Sequence, residues 1–494
     1  MEPPANYLNL KFSVTDIHPS IHGSLQLEIT LQNFRHSDQT SLLRTSAHPI
    51  SPQVQFSEYL TVAYHFHLKQ SISISIINPE TGILAIQSVS LCHILHPHTK
   101  IHVRNYDSTS ICTLNTFCEE TISASKSAFL MFQGRNLADL DAFSKSDPYF
   151  KLYSDVNGEW KEIYRSKVVD DSLDPQWEEF VVNTVTLNCG KVDNKLKIEV
   201  FDYDSETSSE IIGDTEILYS QLIIGAEFQL INPKNQRFGG FVQIIKFEII
   251  DDKSFVEFLV QGISINLTIG FDFTASNGLF NQETCLHHIS PTEENDYQKV
   301  IKIIGSVLSE YDQDKKFLLL GFGAESPKIA DKNVFPLCPS NPYIAGYDKV
   351  NEVYKQVLED KNFVLSGPTH FSSILQYQMN VCRGTGENIY HVLLIITDGV
   401  MHDEQETINC LIEASQLPMS VIIVGVGFED FTRLKKLDSD KTLLQNSSGK
   451  KSSRDIVQFI PFNLYRNNFE AFAQEAMSEI PTQILAYKKL RHMF

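Results

Sequence analysis

The chain has 494 residues, 42% hydrophobic and 21% charged, with a formal net charge of −20. That length holds about two to four domains with sizeable cores, and the acidic excess excludes a nucleic-acid binder and opposes unaided attachment to anionic lipid. No apolar run approaches the roughly 18 residues that a membrane-spanning helix needs; the longest, 392–396 and 421–426, are strand-length.

The N-terminal MEPPANYLNL lacks the basic and apolar regions of a signal peptide, and position 2 is not the glycine that myristoylation requires. The eight cysteines are scattered without a C-x-x-C pair, which argues against a zinc ribbon or a disulfide framework. Reduced thiols in the cytosol are expected.

Residues 1–122 alternate apolar and polar positions, as in LQLEITL from 25, LTVAY from 60 and SISISI from 71. A period of two predicts β-structure. This segment also holds ten of the sixteen histidines. His93, His96, His98 and His102 are close in sequence, and His65 and His67 alternate on a strand. A zinc site is one reading. Solvated histidines are the expected one, because no cysteine or carboxylate frames the group.

Residues 123–252 read as a second all-β segment, with strands near 149–153, 160–166, 179–182, 196–201 and 242–250. It carries 13 basic and 23 acidic residues, half of the chain's net negative charge. The strand KIEVF, from 197, runs directly into Asp202-Tyr203-Asp204. Side chains two apart on a strand point the same way, so these carboxylates share one side, and Glu210 returns a third. Upstream, Asp141 and Asp147 flank another short loop. Carboxylates this close repel one another unless a hard divalent cation sits among them. Two such loops at strand ends in one all-β segment predict a calcium site rather than solvated turns.

These residues resemble a known family. GRNLADLDAFSKSDPYFKLY, SLDPQW and FDYDSETSSEIIGD are similar to the calcium-binding loops of a C2 domain. The resemblance implies calcium ligands at Asp141, Asp147, Asp202, Asp204 and Glu210, the last standing where most of the family has Asp. Phe143, at the tip of the first acidic loop, is then expected to enter the lipid interface once calcium neutralises the loop; the alternative is that it tucks against its own domain. The order of segments in 1–122 resembles another C2 domain. There the loop at 17–22 has no acid, and the 78–82 loop, NPETG, lacks D-x-D. That segment is read as C2-like and calcium-independent.

After residue 252 strands alternate with helices. Strands are expected at 262–272, 317–322, 391–397 and 419–426; helices at 296–311, 350–358 and 404–416; and a last helix over about 467–486, interrupted at Pro481. Such alternation predicts a mostly parallel open sheet with helices on both faces, its ligands at the carboxyl ends of the strands. Asp272-Phe-Thr274-Ala-Ser276 follows the first strand. Thr397-Asp398-Gly399 follows a later one, and Gly367-Pro368-Thr369 opens a helix. Two carboxylates and three hydroxyls make a hard-oxygen site suited to magnesium or manganese, with one position open to an outside carboxylate.

This third segment resembles a von Willebrand factor A-type domain, which implies a metal-ion-dependent adhesion site at Asp272, Thr274, Ser276, Thr369 and Asp398. The strings IGFDFTASNG, LGFGA, SGPTHF, LLIITDGV, LPMSVIIVGVGF and RDIVQFIPF are similar to one branch of that group, the copines. The expected layout is multidomain: two all-β C2-type sandwiches, 1–122 and 123–252, followed by an α/β open-sheet, Rossmann-like A-type domain, 253–494.

The resemblance implies a cytoplasmic calcium sensor that translocates to anionic phospholipid membranes, plasma or intracellular, through its second C2 domain. Its A-type domain would recruit protein partners, without nucleic acid. The alternative is a calcium-independent scaffold acting through the A-type domain. An enzyme is not expected: the second Asp of D-x-D-x-T phosphatases, a P-loop and G-x-S-x-G are all missing. The related plant ubiquitin ligases add a RING after this domain, and the last residues here, 487–494, carry no cysteine pair.

Overall fold

The computed structural model describes residues 6–32, 43–96, 100–105, 107–120, 126–140, 144–156, 158–189, 191, 193–205, 208–251, 253–280, 282–399, 401–438 and 442–492. Asp141, Phe143 and His98 lie outside the described residues. The chain forms two compact units, residues 123–254 and residues 1–122 together with 255–494.

In the larger unit, residues 1–122 build two antiparallel sheets. One runs Gln53–Tyr64, Asn6–Thr15, Ser110–Glu120, Lys100–Arg104; the other runs Leu43–Arg44, Ser24–Gln32, Ser71–Asn78, Gly82–Ser90. The period-two pattern explains the packing. Leu8, Leu10, Phe12 and Val14 turn inward from one sheet, and Ile72, Ile74 and Ile76 from the other. Asn78 closes its own turn, its side-chain oxygen accepting the Glu80 N–H at 2.8 Å.

Residues 255–494 hold five parallel strands in the order Lys316–Phe322, Ser264–Asp272, Ile389–Thr397, Met419–Gly425, Val457–Pro461. Phe335–Pro336 and Tyr343–Ala345 pair antiparallel with the outer edge of Lys316–Phe322. Alternate residues of these strands feed two cores. Ile265, Leu267, Leu394 and Ile422 join Tyr297, Tyr354 and Phe472 on one face. Leu320, Leu393 and Ile423 join Ile374 and Leu411 on the other. Burial on both faces is why the strands read as continuous apolar runs.

Two helices depart from the sequence expectation. The 296–311 pattern is helical, but Ile301–Gly305 is one π-type turn between two α-turns. The last helix does not break at Pro481. Phe469–Met477 ends first, and Ile480–His492 starts with Pro481 in its first turn, where the missing N–H costs nothing.

The 1–122 and 255–494 segments share one continuous apolar core. Phe66 packs on Phe255 and Tyr311, with ring centroids 5.1 and 4.7 Å away. The Cys92 thiol donates to the Glu310 carbonyl at 3.2 Å.

Residues 123–254 form an antiparallel sandwich. Its strands run Glu159–Arg165, Pro148–Val156, Lys195–Ser205, Ser208–Leu218, then Glu227–Ile231, Phe238–Asp251, Lys126–Arg135, Phe180–Asn183. Among the described residues, the Asp214–Ile231 pair is the one strand pairing that joins the two halves of that path. Phe132, Phe150 and Trp177 fill the core, and the Trp177 indole donates to the Pro148 carbonyl at 3.2 Å.

Candidate metal centres

In the 123–254 unit, Pro148 faces Asp202 across neighbouring strands, which places Asp147 beside that carboxylate. Asp202 Oδ1 accepts the Asp147 N–H at 2.7 Å. Glu210 is directly opposite Asp202 on the next strand, and directly paired residues put their side chains on one face. Asp204 lies two residues on and is exposed, as is Glu210; Asp202 is buried. Four of the five expected ligands therefore come from adjoining strand ends of one edge. The fifth, Asp141, is outside the described residues.

The sequence reading missed Asp171. Its N–H donates to Asp147 Oδ1 at 2.6 Å, and its own Oδ1 accepts the Lys145 N–H at 2.9 Å. Asp171 has a positive φ of 53°, a conformation that Asp tolerates better than most residues. It pins the loop that carries Asp147. All the donors gathered here are hard oxygens, the donor set calcium takes.

In the 255–494 segment, the strand Ser264–Asp272 ends on a buried carboxylate. Asp272 Oδ1 accepts the Thr274 N–H at 2.9 Å and the Thr274 hydroxyl at 2.6 Å, and the Thr274 and Ser276 hydroxyls are 2.9 Å apart. The Thr397 hydroxyl donates to Asp272 Oδ2. Phe271 pairs with Ile396, so Asp398 leaves the neighbouring strand beside this cluster. Both Asp398 oxygens are buried and accept no hydrogen bond from a described residue. Burial, with the adjoining Asp272 charge adding to it, raises the Asp398 carboxyl to about 7. Burial raises Asp272 as well, opposed by the Thr274 and Thr397 hydroxyl bonds.

Buried carboxylate oxygens without donors are costly, and a divalent cation between two carboxylates removes that cost. The residues fit magnesium or manganese on this ground.

Thr369 is buried in the loop that leads into the helix Phe371–Arg383. That loop reaches the cluster through Ser366, whose carbonyl accepts the Ala275 N–H at 2.7 Å and whose N–H donates to the Gly323 carbonyl at 2.7 Å. It is held toward the Asp398 loop by Asp403, which accepts the Phe371 and Ser372 N–H groups at 3.1 and 2.8 Å. A methyl group on Gly323, where φ is +78°, would come within 2.2 Å of Thr274 Cγ2. Only glycine lets the strand Lys316–Phe322 turn past the cluster there.

Behind Asp272 lies a buried polar layer that no spacing announced. His287 Nε2 is 2.8 Å from the Asp272 carbonyl and its Nδ1 is 2.8 Å from the Tyr354 hydroxyl. Tyr297 donates to the same carbonyl at 3.1 Å, and Asn277 donates to it at 3.1 Å. Burial lowers the His287 pKa to about 3, so the ring is neutral. A neutral ring facing a carbonyl through Nε2 donates there and accepts from Tyr354 at Nδ1.

The 1–122 histidines do not gather into a metal cluster among the described residues. They are not uniformly solvated either: His67 is buried, and burial lowers the His96 pKa. The one cluster of this kind among the described residues is Asp438, Asp455 and Glu479, half-buried and mutually within 4.8 Å. Two of these carboxylates also hold backbone, Asp438 accepting the Phe459 N–H at 3.0 Å and Asp455 the Val457 N–H at 3.2 Å.

No helix among the described residues is long and apolar enough to cross a membrane. A family model described as Copine matches residues 285–494, and one described as C2 domain matches 128–233. Copine-C of Dictyostelium discoideum is 34% identical over 481 residues, covering 92% of this chain and 88% of its own length. Copine-E of the same organism is 32% identical over 473 residues, covering 92% of this chain and 80% of its own. A solved structure described as BON1-C2B is 22% identical and covers 26% of this chain and 94% of its own, at a TM-score of 0.23. With its strand-end carboxylates, its D-x-T-x-S cluster and copine relatives at 32–34% identity matched over 80–88% of their own length, the chain belongs to the copine family.

Proposed function

We propose that this protein attaches to anionic phospholipid membranes in response to calcium through the 123–254 unit, and brings with it protein partners held by the 255–494 segment. The observation that carries the reading is the placement of Asp147, Asp202 and Glu210 at adjoining strand ends of one edge of the sandwich, with Asp204 beyond them. Without cation these carboxylates repel a negatively charged surface. Bound calcium reverses that field and offers open positions to lipid phosphate oxygens. Asp202 holds the Asp147 backbone, Asp171 holds the loop behind it, and Asp204 and Glu210 supply the exposed rim.

In the second centre, Asp272 and Asp398 would hold magnesium or manganese directly or through water, with Thr274, Ser276 and Thr369 supplying hydroxyls. The bound cation would present an electrophilic position to a partner carboxylate. The protein is read as non-enzymatic, resident in the cytoplasm and peripheral to plasma or intracellular membranes when calcium rises.

Co-sedimentation of the full chain with phosphatidylserine-containing vesicles, in calcium and in chelator, tests the reading. Binding is expected in calcium alone, and Asp202→Asn with Asp204→Asn should abolish it. Equal binding in chelator would overturn it.

A second reading, a calcium-independent scaffold, is favoured by the shared core of residues 1–122 and 255–494. It requires that calcium leave vesicle attachment unchanged.

A further inference from the structure

Residues 232–238, Asn-Pro-Lys-Asn-Gln-Arg-Phe, join the strands Glu227–Ile231 and Phe238–Asp251. All of 233–238 is exposed, and Phe238 itself is 48% exposed. The loop is nevertheless stiff. Asn232 accepts the Lys234 and Asn235 N–H groups at 2.9 and 3.3 Å, and its N–H donates to the Arg237 carbonyl at 2.9 Å. Asn235 accepts the Arg237 N–H at 2.9 Å.

Its position is also set. The Asn232 side chain donates to the Ile211 carbonyl at 2.7 Å, one residue from Glu210. At the other end, the Gly239 carbonyl accepts the Ala138 N–H at 3.1 Å, at the start of the first acidic loop. Gly240, at φ +108°, leaves no room for a side chain against Asn136 and Leu137, where a Cβ would come within 2.7 Å of both backbones. The loop thus stands between the two acidic loops, at the same edge.

Its chemistry is opposite to theirs. Lys234 and Arg237 make no side-chain ion pair among the described residues. The Phe238 ring rests edge-on against Phe241 at 5.2 Å, with the rest of it in water. Two cations and a half-exposed aromatic ring on a rigid rim match a surface that is anionic outside and apolar beneath, the arrangement of a phospholipid leaflet.

We propose that residues 232–238 are a membrane-contacting element in their own right: Lys234 and Arg237 engage the headgroup phosphates of an anionic bilayer and Phe238 enters the interface. This rests on the calcium-dependent attachment proposed above. It adds that calcium is needed to silence the acidic loops, while part of the grip comes from a loop that holds no calcium. Two cations are too few to overcome the surrounding carboxylates by themselves, so the element acts only after they are neutralised.

The test uses the full chain and vesicles of phosphatidylcholine with or without phosphatidylserine. Lys234→Glu with Arg237→Glu should weaken attachment at saturating calcium several-fold and flatten its dependence on salt. Phe238→Ala should weaken it several-fold with the salt dependence kept. Calcium titration by calorimetry without lipid should match the parent in both. Wild-type attachment of both variants would overturn the inference, and the charge pair stays informative if the Phe238 variant loses its packing on Phe241. If Asp202→Asn with Asp204→Asn attaches in calcium as well as the parent does, the calcium reading fails, while the loop assignment still stands or falls on its own variants. A parent chain that binds neither kind of vesicle overturns both.

Discussion

Tyr64 and Tyr311, 247 residues apart in the chain, bring their hydroxyls within 2.6 Å in a buried contact. Tyr311 also donates to the Phe66 carbonyl at 3.2 Å, so Tyr64 is the donor between the two rings. The contact welds the first segment to the third within the larger unit. The first C2-like segment is therefore part of the structure that carries the D-x-T-x-S cluster.

The weld predicts a folding dependence. Phe66→Ala in the full chain removes a buried ring from Phe255 and Tyr311 and should cost about 3–5 kcal/mol, read by urea denaturation. Residues 255–494 produced alone would expose Phe255 and Tyr311 and should aggregate. Stable, soluble material with a cooperative melt would refute the shared core.

Asp398→Asn keeps the shape of the site and removes one charge. In chelator at pH 8 the variant should melt higher than the parent, because two buried carboxylates no longer oppose each other. Magnesium should raise the melting point of the parent and leave that of the variant unchanged. Differential scanning calorimetry distinguishes the outcomes.

The pH dependence follows from the same carboxyl. Its ordinary value is 3.8 and burial takes it to about 7 in the folded chain. Between those values the folded state binds more protons than the unfolded state, so stability in chelator should fall as pH rises from about 4 to about 7. Magnesium takes the ionised form, so its affinity should rise over the same window, with proton release on binding near pH 6. Calorimetry in buffers of different ionisation enthalpy measures that release.

In the calcium edge, Asp202→Asn retains an oxygen for the Asp147 N–H and should fold normally while losing calcium affinity by more than about tenfold. Glu210→Gln should lose less, because Glu210 stands on the exposed rim and, among the described residues, holds no neighbouring backbone. Calcium titration without lipid ranks the two, and a larger loss at Glu210 would reverse the assignment of inner and outer positions.

Gly323→Ala places a methyl group on Thr274 at a positive φ, and should cost about 1–3 kcal/mol. Magnesium should stabilise the variant less than the parent, since Thr274 orients Asp272.

Much was legible in the chain itself because local patterns carry it. Period-two alternation marked the strands of the first segment, and continuous apolar runs marked the strands of the open sheet, since burial on one face or two leaves different patterns. Asp272, Thr274 and Ser276 sit within five residues of one another, and their hydrogen bonds are local. Asp202 and Glu210 face each other across one hairpin. The tertiary structure alone decided what depends on contacts between distant segments. His287, Tyr297 and Tyr354 meet behind Asp272 only after the sheet and its helices close. Asp403 clamps the Thr369 loop from another element. Phe66 finds Phe255 and Tyr311 because apolar burial is non-directional, and no local spacing names its partner.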